Sequence, residues 1–518
     1  MNVAPLGLAA APLAGAVPAQ IASVSSGQLL TASRLSWERG GRLIALWGSD
    51  ERDRHRGFRL RVALEDRDGI TVLEHTLPDA NARYPDLSPI FAPANRMQRA
   101  TYDLVGIAAE TDDERPWLWM ASWPIDQFPL RRDFVASSSW EPGQEAYEFV
   151  KVEGDGVHEI PVGPVHAGII EPGHFRFQIV GEKVLRLEER LGYTHKGIEK
   201  RFEALPIVDA GRLAGRISGD SAVAYAWAYA QAVEAIARIV PPARALWLRA
   251  LCLERERLAN HLGDLGALGN DAGFAFGLAQ FSRLREDVLR TNAAAFGHRL
   301  LMDVIVPGGV MRDIAFEHVH RMRDEADRIV YEIRELRNIY DEHAGLQDRF
   351  RNCGRVSSEL AARLGLLGLA GRASGLSRDV RCDFGSPPYD RLGVRIATQT
   401  AGDVWARVAV RFDEAIESTR LIVAITAALL DRATSGEIGA PIDDVRADRF
   451  ALGYVEGWRG PVLIALESGP DGTIRRCHAH DPSWSNWPAI EHAVIGNIVP
   501  DFPLINKSFN LSYSGHDL

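Results

Sequence analysis

The sequence predicts an α+β protein: a small N-terminal α/β unit joined to a larger, mainly α-helical domain with strands at its periphery. Three observations predict it. At 518 residues the chain exceeds what one ordinary hydrophobic core encloses. Short apolar or alternating runs of strand character cluster near the beginning and return near the end. Between them, apolar residues recur at three- and four-residue intervals, the period of amphipathic helices packed in a bundle.

In chain order, residues 1–30 read as a flexible Ala/Pro-rich arm. The first 33 residues carry no charged side chain, and Pro5, Pro12, Pro18, Gly7 and Gly15 interrupt them. No basic stretch precedes the apolar part, which argues against a signal peptide or membrane anchor. Residues 31–135 form the α/β unit. Its strands are expected at Arg42–Trp47, Phe58–Leu64 and Ile70–Leu77, with Asp66-Arg67-Asp68-Gly69 turning between the last two. A helix follows at Met97–Val105, then an aromatic stretch, Trp117–Trp123, before Pro124. Residues 136–160, bearing Ser, Gly and Glu, read as a linker. Residues 161–518 make the second domain, opening with strands at Val162–Val180 and Lys183–Leu187. Helices are expected at Ser221–Val240, Ala243–Leu268, Ser282–Leu301, Ala315–His343 and Asp403–Leu430. Strands return at Tyr454–Gly457, Val462–Leu466 and Ile474–Ala479.

Composition excludes several classes. Against 59 Lys and Arg stand 69 Asp and Glu, a net charge of −10, and no basic run suggests nucleic acid as a partner. Cys252, Cys353, Cys382 and Cys477 lack the short spacings of a disulfide framework or metal knuckle, which suits a reduced cytoplasmic setting. The longest apolar runs, Ala222–Val233 and Leu421–Leu430, are too short to span a bilayer. No Gly-x-Gly-x-x-Gly stands in a strand–turn–helix context, so no nucleotide site is expected. His478 and His480 share one face of a strand; two such ligands are a weak metal signal, and they read as solvated strand residues. His166, His174 and His195 read as histidines hydrogen-bonded at a strand–loop interface, with proton relay as the functional alternative.

Two segments carry a family likeness. Gly163-Pro164-Val165-His166 with Glu171-Pro172-Gly173-His174-Phe175-Arg176-Phe177, followed by Leu191-Gly192-Tyr193-Thr194-His195-Lys196-Gly197-Ile198-Glu199-Lys200, resembles the opening of the large subunit of energy-converting nickel–iron hydrogenases. That family, of the formate hydrogenlyase type, is related to the 49-kDa subunit of respiratory complex I. Further matches are Asn260–Gly266, Pro307–Val310, Gly371–Arg381, Gly402–Arg407 and Val455–Gly460. Tyr102–Ile107 and Phe128–Phe134 resemble the complex I 30-kDa subunit, which implies a fusion of the two units.

The resemblance also says where a metal should be. Such hydrogenases hold nickel and iron with two Cys-x-x-Cys pairs, because soft thiolates bind nickel tightly. Here the four positions are Ser218, Ser221, Ser512 and Gly515. Neutral hydroxyls are poor ligands and glycine offers none, so no metal is expected on this chain. Ser218 reads instead as a helix N-cap, with Asp220 in the first turn. Nor does Gly515-His516-Asp517-Leu518 leave the long tail that such hydrogenases clip. Gly219 stands where the complex I subunit has its quinone-binding tyrosine, and Trp458 precedes Arg459 where hydrogenases have proline.

What the resemblance implies is a peripheral-arm subunit of a membrane-bound complex I-like assembly on the cytoplasmic face of the inner membrane. Its expected partners are a small iron–sulfur subunit, whose 4Fe-4S cluster faces this chain, and antiporter-like membrane subunits. The chain itself is expected to bind no cofactor, with quinone a candidate acceptor. Arg459, Asp379 and His166 are the candidate catalytic residues, and Ser218, Ser221, Ser512 and Gly515 the former ligand positions lining one cavity with them. The rival readings are a non-redox scaffold that couples through conformational change and, disfavoured by ligand softness, an active hydrogenase.

Overall fold

The structure, a computed structural model, describes residues 6–120, 123–124, 126–137, 140–141, 143, 147–166 and 170–518. Parts of the N-terminal arm, the aromatic stretch, the linker and the 162–180 segment therefore lie outside the described residues.

The N-terminal unit is a five-stranded sheet in the order β1-β2-β5-β4-β3. Its strands are β1 (Ala11–Leu13), β2 (Ala19–Ser23), β3 (Arg42–Asp50), β4 (Phe58–Glu65) and β5 (Ile70–Leu77). The expected turn joins β4 to β5: Asp66 N–H donates to Gly69 O, and Gly69 takes φ 141°, which favours glycine. The arm expected to be flexible is a correction. β1 and β2 belong to the sheet, β2 running parallel to β5, because Pro18 O accepts from Ile70 N and starts that pairing. α1 (Ser26–Glu38) follows, opened by a capping box in which Ser25 and Gln28 satisfy each other's N–H groups. β6 (Arg83–Pro85), α2 (Ala94–Val105) and β7 (Ala108–Glu110) complete the unit; Gly106 at φ 78° ends α2.

The second unit opens with a three-stranded sheet of β8 (Val157–Val162), β9 (His174–Val180) and β10 (Lys183–Arg190). The strand run expected over 162–180 is thus the end of β8 at Val162 and, from His174, β9, and the linker ends inside β8. After the short helices α3 (Ile198–Phe202) and α4 (Gly211–Ala214) come α5 (Ala222–Ala237), α6 (Ala243–Asp271) and α7 (Ala275–Phe296). A two-stranded ladder, β11 (Ile305–Val306) and β12 (Gly309–Val310), precedes α8 (Phe316–Glu342). Four short helices, α9 (Ala344–Phe350), α10 (Ser358–Leu364), α11 (Gly368–Arg372) and α12 (Val380–Asp383), lead to α13 (Val404–Leu430). α6 packs between α7 and α13, and α13 packs on α8, giving the expected bundle.

The chain closes with β13 (Phe450–Glu456), β14 (Pro461–Ser468) and β15 (Ile474–His480), then α14 (Ser483–Ala493), α15 (Phe502–Phe509) and α16 (Tyr513–Asp517). These strands lie at the edge of the helical domain, as expected, and are covered there by the N-terminal unit. Leu452, Tyr454, Leu463 and Ala465 pack on Ile44, Ala63 and Val72 of the N-terminal sheet. The opposite face of β13 and β14 packs against α5. His478 and His480, expected to be solvated, are consequently buried. Among the described residues no helix is long and apolar enough to cross a membrane.

Candidate functional site

Three chain segments converge beside the N-terminus of α5. The first, Ser218–Ser221, enters the helix; Ser221 N–H donates to Ser218 O at 3.0 Å. The N-cap residue is Ser221, not Ser218, and its hydroxyl makes no capping bond. Ser218 Oγ instead lies 2.9 Å from Asp220 Oδ1 and 2.8 Å from Ser512 Oγ. The second segment is the start of α16, where Ser512 is the N-cap and accepts from Gly515 N–H at 2.8 Å. The third is the tight turn Gly457–Gly460 between β13 and β14, closed by Gly457 N–H donating to Gly460 O.

That turn delivers Trp458 and Arg459. The Trp458 indole N–H donates to Asp220 O at 2.9 Å and to Ser221 Oγ at 3.1 Å. Arg459 grips both carboxylate oxygens of Asp220 at 2.7 and 2.5 Å, donates to Asn510 O at 2.6 Å, and lies 4.0 Å over the Trp458 ring. Packing works against ionisation of Asp220, but the Arg459 guanidinium and the Ser218 hydroxyl more than compensate, holding its carboxyl below the usual range. The Asp220 side chain keeps 37% of its surface exposed, so the cluster opens to solvent on that side.

A side chain at Gly515 would have no room. A Cβ there would stand 2.5 Å from Asp481 Oδ2 and 2.8 Å from Ser512 Oγ. The Asp481 carboxylate is held by Tyr225 OH at 2.7 Å and by Ser483 N–H at 2.8 Å. Below Asp220, Glu256 accepts N–H bonds from Val223 and Ala224 at 2.7 and 3.3 Å. Burial, with the nearby Asp220 charge, pushes its acid up to about 8 despite those bonds.

The structure thus brings Ser218, Ser221, Ser512, Gly515 and Arg459 together. Asp379 and His166, expected to line one cavity with them, bond to other groups and to none of these five. Asp379 caps α12 and is gripped by Arg381 at 3.0 and 2.7 Å, with Arg372 at 3.5 Å. Burial pushes its carboxyl up, but these guanidiniums outweigh that and hold it low. It belongs to a buried ionic network with Glu254, Arg257, Glu414 and Glu456. Arg257 of that network donates to Gly457 O and Glu456 O and so braces the turn bearing Arg459. His166 bonds Gly173 O at 3.1 Å and stacks on Phe175, within the strand–loop interface. From the same loop, Glu171 accepts from Ser514 N–H.

Asp481 and Tyr225 were not singled out by sequence reasoning, and Asp220 only as a first-turn residue favouring the helix dipole. The one available signal was Asp220 lying between two of the former ligand positions.

Residues 23–139 match the family described as respiratory-chain NADH dehydrogenase, 30 Kd subunit, and residues 271–441 the one described as its 49 Kd subunit. Over 494 residues the chain is 31% identical to formate hydrogenlyase subunit 5 of Escherichia coli, covering 93% of this chain and 86% of that protein. The chain belongs to the complex I and hydrogenase large-subunit family. Family members include hydrogenase-4 component G of Escherichia coli, 30% identical over 93% of this chain and 85% of that one. The C/D subunit of NADH-quinone oxidoreductase from Phocaeicola vulgatus is 28% identical, covering 82% and 84%. A chain of the membrane-bound sulfane sulfur reductase, an archaeal respiratory membrane complex, shares the fold at a TM-score of 0.65 and 24% identity, covering 70% of this chain and 99% of that one. The fusion of 30-kDa-like and 49-kDa-like units is therefore a family arrangement, as the motifs implied.

Proposed function

We propose that this chain is a peripheral-arm subunit of a membrane-bound, complex I-like oxidoreductase assembly that operates without a nickel–iron site. One observation carries the reading: the four former ligand positions present three hydroxyls and no side chain at all. Two of those hydroxyls bond each other, and the space beside Gly515 is filled by Asp481. Such a donor set does not fit a soft bimetallic centre, and the groups that surround it are already committed to one another.

In this reading a small iron–sulfur subunit with a 4Fe-4S cluster docks against the chain, and antiporter-like partners hold it on the cytoplasmic face of the inner membrane. Electrons from that cluster reach an organic acceptor, with quinone the candidate, and their transfer is coupled to ion translocation. The chain's own residues would supply the polar end of the acceptor site. Asp220 faces the opening, and Arg459 offers fixed positive charge behind it. The fold itself does not dictate hydrogen chemistry, since a sulfane sulfur reductase shares it.

A second reading, a scaffold that transmits conformational change without redox chemistry, is favoured by Trp458 and by the closed Asp220–Arg459 pair. The two separate in one experiment on the isolated assembly. Elemental analysis is expected to find iron without nickel, and stoichiometric nickel would overturn the proposal. Quinone reduction that falls with Arg459→Gln supports the redox role; reduction unchanged by that substitution supports the scaffold.

A further inference from the structure

A cavity of about 660 Å³ lies between the N-terminal arm and the helical domain, and none of the serine-site residues lines it. Pockets that take a small apolar molecule run to roughly 300–1,000 Å³. Residues 12–16 of the arm form one wall. That wall is tied down, because β1 pairs with β2 and Ser386 Oγ donates to Ala16 O at 2.7 Å. The opposite wall is one face of α5, on which Trp227, Gln231, Glu234 and Ala235 recur at helical spacing. Leu246 continues the apolar lining, and Val240, 82% exposed, stands at the rim.

The polar groups on these walls differ in what they have left to give. Glu234 and Arg249 are spent on each other: Arg249 donates to both carboxylate oxygens at 2.5 and 3.2 Å, and Gly308 N–H adds a bond at 2.9 Å. Trp227 and Gln231 are not. Gln231 Oε1 accepts from Tyr454 N–H at 2.9 Å, which fixes the amide and leaves its NH2 as the uncommitted end. Neither that NH2 nor the Trp227 indole N–H has a hydrogen-bond partner among the described residues. The two residues are only 6% and 3% exposed, yet both nitrogens keep accessible surface. Both groups can only donate, and they stand one helical turn apart on one face, so they address the same end of the cavity. What satisfies them there must accept and bring no donor of its own. The Glu234 carboxylate in the same wall disfavours a negative head. Arg238, exposed and without an ion pair among the described residues, lies about three turns from Trp227.

We propose that this cavity binds a neutral, elongated apolar molecule whose carbonyl end accepts from Trp227 Nε1–H and Gln231 Nε2–H, with its tail running past Ala235 and Leu246 toward Val240. Water fills the space until such a molecule displaces it, because the apolar walls offer water few bonds. A carbonyl oxygen suits the inner end because it has lone pairs and no hydrogen to leave unpaired. Two sources share that chemistry, a tailed quinone ring and an aliphatic ketone.

Calorimetric titration of the whole chain tests this with three probes: a decyl-tailed benzoquinone, a dodecyl methyl ketone, and decylbenzene, which has the tail but no oxygen. The carbonyl probes are expected to bind one per chain and more tightly than decylbenzene. Trp227→Phe keeps the ring and removes the donor. Gln231→Glu keeps the acceptor for Tyr454 N–H and removes the NH2. Each should weaken the carbonyl probes by about three- to tenfold and leave decylbenzene unchanged. Ala235→Phe, which fills the cavity, should abolish binding of all three. Binding that persists in Arg459→Gln and vanishes in Ala235→Phe places the molecule here and not at the serine site; the reverse pattern overturns the proposal. Tighter binding of the benzoquinone assigns a ring carbonyl, and tighter binding of the ketone an aliphatic one. No binding of either carbonyl probe, decylbenzene binding as tightly as both, or wild-type affinity in both donor variants sinks the site.

Discussion

At residue 515 the absence of a side chain has a physical cause, and it is not backbone conformation. The position needs glycine because the Asp481 carboxylate stands 2.5 Å from where a Cβ would be. Asp481 cannot easily yield, being tied to Tyr225 and Ser483. Gly515→Ala is therefore expected to destabilise the protein by about 1–3 kcal/mol through overpacking, measured as a fall in urea midpoint at unchanged slope. A neutral result would mean that Asp481 moves freely and that the position could still accept a thiol. Ser512, three residues earlier, survives for a different reason: its hydroxyl serves α16 as a cap as well as bonding Ser218.

Among the elements, α5 and β13 show what sequence pattern can and cannot convey. The long helices were legible because each buries a stripe with a helical period, and α6, α8 and α13 begin and end within a few residues of where that period begins and ends. Strands β3, β4 and β5 were legible from alternation and their turn. The arm was not, because a charge-free, proline-broken run gives no period, and β1 and β2 are ordered by a sheet edge supplied from β5. The burial of β15 was missed for a related reason: His478 and His480 look solvated, yet rings from other elements, Trp47 and Trp484, stack on them. In the candidate site, family motifs gave the former ligand positions and Arg459, but only the fold reveals that Asp379 is bound up with Arg381 and Arg372. Elements approach closely at Gly453, where a Cβ would run into the Ala228 carbonyl of α5. Gly453→Ala should push β13 off the helix at a cost of about 3 kcal/mol or more, seen as lost soluble yield and a lowered denaturation midpoint.

The whole molecule is held as one body by a sheet-on-sheet interface stitched with charge. Glu65, at the end of β4, accepts from Arg42 at 2.9 Å, from Arg378 at 2.6 Å and from Tyr454 at 2.5 Å, the last two belonging to the second unit. Glu65→Ala strands those donors and should cost about 3 kcal/mol, read as a lower melting temperature. Arg378 is partly exposed, so the loss should sit near the lower end of what buried pairs show.

The global pH response has two opposing limbs. Burial holds His478, His480 and His516 below their ordinary value of 6.5. Their native preference for the neutral ring is therefore fully favourable above that value, and the contribution is lost as pH falls below it. Glu256 acts in the opposite sense. Its acid is raised from 4.5 to about 8, so between those values the folded chain binds more protons than the unfolded one. Stability from this group is thus greatest below 4.5 and declines as pH rises to about 8. Glu256→Gln keeps an acceptor for Val223 N–H, gives up the longer bond to Ala224, and cannot ionise. The variant should gain on wild type steadily as pH is raised across that window, reaching on the order of a few kcal/mol at its upper end. Melting temperatures recorded across that range check it: parallel profiles for the two proteins would show that Glu256 is already ionised in the folded state, and that the floor of the serine site carries a second negative charge beside Asp220.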